Sequence, residues 1–78
     1  MIGLPASVPI RLFRESADMR KGVDGLYGLV VAAGEDVYSG ALFVFMSKRR
    51  NRVKILTFAP GGFVVWYKRL ERGRFRHP

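Results

Sequence analysis

The chain has 78 residues, no cysteine, one histidine and a formal net charge of +8. That length allows a single domain, residues 1–78, near the lower limit at which a hydrophobic core stands without disulfides or metal, which leaves room for help from a partner chain. The missing cysteines exclude a disulfide scaffold, a thiol nucleophile and a Cys/His zinc site, and no cofactor or metal is expected.

The opening segment, MIGLPASVPIRL, has no basic stretch ahead of an apolar one, and apolar runs such as Leu29 to Ala33 fall far short of the ~20 residues a bilayer demands. No membrane partner is expected, and a reducing cytoplasm fits. Val8, Ile10 and Leu12 then alternate with Pro9, Arg11 and Phe13, which predicts a strand over 8–14, held to a sheet edge by Pro9. Ser16 or Asp18 can cap a helix, and Val23, Leu26, Tyr27, Val30 and Val31 share one helical face over about Met19 to Ala33. Gly22, Gly25 and Gly28 weaken that helix by roughly 1 kcal/mol each relative to Ala. They either form a stripe that admits a close neighbour or mark a poor helix. Gly34 is its natural stop.

Three runs rich in β-branched and aromatic residues follow, Ala41 to Met46, Val53 to Ala59 and Phe63 to Arg69, separated by Ser47–Arg52 and Pro60–Gly62. This is the pattern of an antiparallel meander. The fold class is therefore α+β: an edge strand, one helix and a three-stranded meander forming a small antiparallel sheet. Both faces of the meander are largely apolar, with Ile55, Thr57 and Ala59 opposing Lys54, Leu56 and Phe58. One helix covers one face, so the other must close by curling into a partial barrel, by homo-oligomerisation or by a partner.

Charge is segregated along the chain. Residues 1–47 carry four cations and five anions, a net of −1, whereas residues 48–78 carry ten cations against Glu71 alone, a net of +9. Lys48, Arg49, Arg50, Arg52 and Lys54 crowd the first meander turn. Lys68, Arg69, Arg72, Arg74 and Arg76 continue into residues 71–78, which read as a basic C-terminal arm. Such a field attracts polyanions, DNA phosphates first among them, although it also serves solubility alone. Asn51 can read an adenine edge or simply tolerate a left-handed turn position. Phe58, Trp66 and Tyr67 are the candidates for partner binding on the sheet, where aromatics otherwise serve as core.

No catalytic constellation emerges. The carboxylates Glu15, Asp18, Asp24, Glu35, Asp36 and Glu71 form no acid–base pair, Ser39 and Ser47 have no histidine nearby, and Gly61–Gly62 lacks the surroundings of a phosphate loop.

Four segments, DMRKGVDGL at 18–26, SGALFVF at 39–45, RNRVKIL at 50–56 and GFVVWYKRLERGRF at 62–75, resemble, in that order, the TnpB accessory-protein family, the second open reading frame of the bacterial IS-sixty-six insertion sequences. The resemblance implies a non-catalytic bacterial protein needed for efficient transposition beside a separate transposase. It identifies no catalytic or ligand residue. Family members run longer at the C-terminus, which implies a C-terminally shortened copy whose missing segment would be one candidate cover for the second apolar face. The expected function is binding of DNA, or of the transposase–DNA complex, through the basic hairpin and tail. The alternative is a protein–protein module docking on the transposase or on itself through the sheet.

Overall fold

A computed structural model describes residues 8–76. Four strands and a helix follow in the order β1 (Ile10–Leu12), α1 (Val23–Ala32), β2 (Leu42–Met46), β3 (Arg52–Ala59) and β4 (Gly62–Arg69). They form one helix over one open sheet of order β1-β2-β3-β4, an α+β fold. The sheet is mixed, because β1 runs parallel to β2, with Ile10 beside Leu42 and Leu12 beside Val44. A strand, a helix and a parallel neighbour make a crossover unit, so the expected all-antiparallel sheet is corrected at this one edge. The sheet does not curl into a barrel: β1 and β4 remain its two outer strands.

The helix is shorter than its periodicity suggests. Its N-cap is Gly22, with no side-chain cap. Asp18 does not cap it; the carboxylate instead accepts from the Arg20 backbone N–H at 2.9 Å and from the Arg20 guanidinium at 2.7–3.1 Å. That local turn occupies the residues that would have formed the first helical turn. Those guanidinium bonds, and then the backbone bond, hold the Asp18 carboxyl well below the usual carboxylate range. Gly34, at φ +76, ends the helix: its N–H reaches the Val31 carbonyl at 2.9 Å and the Glu35 N–H reaches Val30 at 3.2 Å, a Schellman closure. The glycines do not form a close-approach stripe, since Gly22 and Gly28 have open space where a Cβ would sit.

Register sorts the sheet's side chains into two faces. Phe43, Phe45 and Leu56 point toward the helix and are wholly buried with Leu26 and Val30, joined by Met19, Val37 and Ala41. Burial of this kind contributes about 1.5–3 kcal/mol per large apolar side chain. Beyond that core, Tyr27, Tyr38, Phe58 and Phe63 form an aromatic quartet with centroids 5.1–6.1 Å apart. On the outer face, which no other helix or strand of the described residues covers, Leu42, Met46 and Val53 are buried, while Val44, Ile55 and Val64 are half-buried. The exposed apolar residues of that face, Ile10 and Trp66, lie on the two outermost strands. Its apolar exposure is thus concentrated at the sheet's sides.

Candidate nucleic-acid interface

Antiparallel pairing brings the end of β2, the start of β3 and the end of β4 to one pole of the sheet. Met46 pairs with Val53, and Arg52 with Arg69. The β2–β3 turn is built by Ser47, whose carbonyl accepts from the Arg50 N–H at 2.9 Å and whose hydroxyl accepts from the Arg52 N–H at 3.1 Å. Ser47 Oγ in turn donates to Asn51 Oδ1 at 3.1 Å. The amide oxygen of Asn51 is therefore engaged within the turn, and the left-handed position falls on Arg50, φ +58.

Past β4 the chain turns back on this hairpin. Leu70 N–H donates to the Asn51 carbonyl at 2.7 Å and Phe75 N–H to the Arg50 carbonyl at 2.6 Å. Phe75 is half-buried, so the described part of the arm is tied to the tip it follows. His77 and Pro78 lie outside the described residues. Sequence reasoning overlooked this latch; its only signal was an aromatic residue among arginines.

Most of the candidate cations consequently share one pole. Lys48, Arg49, Arg52, Lys68, Arg69, Arg72, Arg74 and Arg76 are exposed and Arg50 is half-buried. Among the described residues the ion pairs are Arg11–Glu35 at 3.3 Å, Arg20–Asp18 at 2.7 Å and Arg69–Glu71 at 3.7 Å, which leave the other cations of this pole without an acid. Arg52 and Arg69 stand directly opposite each other across β3 and β4, an arrangement of like charges that costs stability in an isolated sheet.

Lys54 is placed differently. It is half-buried on the helix-facing side, where its Nζ donates to the Lys21 carbonyl at 2.8 Å and lies 5.5 Å from the centre of the Tyr67 ring. It ties the segment entering the helix to the sheet. The candidate partner residues do not form one patch: Phe58 is half-buried in the aromatic quartet and Tyr67 is on the helix-facing side, whereas Trp66 is on the outer face.

Away from the basic pole, an open groove of about 680 Å³ lies between β1 and the second half of α1, lined by Phe13, Leu29, Ala32 and the Arg11–Glu35 pair. Among the described residues no group of three His, Cys, Asp or Glu side chains is placed to hold a metal ion, and no helix is long and apolar enough to cross a membrane.

No solved structure matches the chain. It is 35% identical over 79 residues to the uncharacterized protein y4jC of Sinorhizobium fredii (strain NBRC 101917 / NGR234), an alignment covering 100% of this chain and 68% of that protein. The family model described as IS66 Orf2 like protein matches residues 8–78, taking in the helix, all four strands and the basic pole. The chain therefore belongs to the IS66 Orf2-like family, a family of transposition-associated accessory proteins.

Proposed function

We propose that this protein is a non-catalytic accessory of DNA transposition that binds DNA, alone or in complex with the transposase, through the basic pole formed by Lys48, Arg49, Arg50, Arg52, Lys68, Arg69, Arg72, Arg74 and Arg76. The observation that carries this reading is the gathering of hairpin, strand end and tail into one cationic surface, with Arg52 facing Arg69 and little acid nearby. A polyanion would relieve that repulsion, and counterion release would supply affinity without regard to sequence. Lys54 has no part in this surface, because its ammonium is engaged by a backbone carbonyl.

The test is affinity for duplex DNA titrated against salt. Log K should fall with log salt at about 0.9 per phosphate neutralised. Replacing Arg49, Arg52 and Arg72 together by Glu should weaken binding to all sequences alike and reduce the slope by about 3, whereas Lys54→Met should leave the slope unchanged. A flat titration, or a slope that the triple replacement does not alter, would sink the proposal.

A second reading, docking on the transposase through the outer sheet face, draws on the exposure of Trp66. Trp66→Ala would then abolish capture of the transposase while leaving the salt dependence of DNA binding alone.

A further inference from the structure

The two most exposed aromatic residues of the sheet are neighbours in sequence. Trp66 is 52% exposed and Tyr67 51%, and they point to opposite faces of β4. A partner lying on either face would cover one of them and leave the other bare. A strand added alongside β4 would flank both.

The backbone of β4 is free for such a neighbour. The two-residue turn Pro60–Gly61 closes on the pair Ala59 and Gly62, so the alternation of an antiparallel ladder turns the N–H and C=O groups of Gly62, Val64, Trp66 and Lys68 toward β3. The Leu70 N–H bond to Asn51, at the same parity, agrees. Phe63, Val65, Tyr67 and Arg69 therefore direct their backbone groups away from the sheet. No described strand lies on that side. From Gly62 to Tyr67 this edge carries no charge and no proline, the features with which proteins usually blunt an exposed edge.

We propose that β4 pairs with β4 of a second copy of this chain, antiparallel, about a twofold axis at Val65. Charge selects that register. With Val65 opposite Val65 of the second copy, Phe63 faces Tyr67 on the helix-facing side and Val64 faces Trp66 on the outer side, pairings of the aromatic and β-branched kind that stabilise sheets. Lys68 falls opposite Gly62 and Arg69 opposite Gly61, so no cation meets a cation. The antiparallel arrangement also sends the two basic poles to opposite ends of an eight-stranded sheet. Stacking two outer faces would offer no such separation at the Trp66 side, where Lys68 shares the face.

The chain's lack of cysteine makes the register directly testable. Under a glutathione redox buffer and without DNA, Val65→Cys should cross-link to a disulfide dimer, and a mixture of Phe63→Cys with Tyr67→Cys should give the mixed dimer. Tyr67→Cys alone should not, because its two copies would lie about 13 Å apart along the strands, beyond the reach of a disulfide. In sedimentation, the unmodified chain should pass reversibly from monomer to dimer with concentration. Tyr67→Pro, which removes two edge donors by symmetry, should weaken that dimer about thirty-fold. Equal cross-linking of Val65→Cys and Tyr67→Cys, or an unmodified chain that stays monomeric at every concentration, would overturn the proposal. DNA enters none of these measurements, so this pairing and the DNA-binding reading fail or stand separately.

Discussion

Tyr27 and Tyr38 bring their hydroxyls to 3.3 Å, and this bond, ahead of the charge interaction between them and of burial, raises the Tyr27 pKa above an ordinary tyrosine's. The sign follows from the protonated form being favoured when folded. The contribution to stability is fully present below about pH 10 and is lost as pH rises through the higher folded-state value. An absorbance titration should show Tyr27 ionising later than a free phenol, and Tyr38→Phe should return it to the ordinary range; an unchanged titration would show that the hydroxyl pair does not set it. At this scale the sequence is informative about charge and less so about employment. That Lys54 would be spent on the Lys21 carbonyl, 33 residues away, depends on tertiary packing, and no local pattern encodes it. Asn51 is a milder case: a Ser four residues before an Asn across a charged turn is a recognisable sign of side-chain bonding within the turn, and that is where its amide oxygen goes.

Two glycines of α1 and its cap separate local propensity from backbone need. Gly34 sits at φ +76 with open space at its Cβ position, so Gly34→Ala should cost about 1–2 kcal/mol through the left-handed backbone alone. Gly28 has equal space and lies within the helix without a positive φ, so Gly28→Ala should stabilise by about 0.5–1 kcal/mol. Denaturant midpoints that move in opposite directions with unchanged m-values would confirm both; a shared direction would refute the assignment. β2, β3 and β4, their turns and the two faces are readable from alternation and from Pro60–Gly61, because period-two patterning and turn chemistry are local. The direction of β1 is not, since alternation is the same for parallel and antiparallel neighbours. The helix start was obscured for a related reason: Met19 to Lys21 continue the run in sequence, but the Asp18–Arg20 turn claims them first.

For the molecule as a whole, charge is a structural fact as much as a functional one. Collecting cations at a single pole, with Arg52 across from Arg69, should make the free protein more stable as salt is raised, the reverse of a fold held by surface ion pairs. The gain from relieving that cross-strand pair is about 0.2–1 kcal/mol, and Arg52→Glu, which leaves the Arg69–Glu71 pair in place, should capture most of it and flatten the salt dependence of the denaturation midpoint. Stability that falls with salt would contradict this. The clustering itself was legible as a count along the chain; its convergence was not, because it depends on the strand register and on Phe75 returning to Arg50. That last hydrogen bond has a thermodynamic consequence. A loose tail would have to surrender its backbone freedom each time the pole met an anion, whereas here part of that entropy is already lost on folding, so an incoming ligand would have fewer backbone degrees of freedom left to quench.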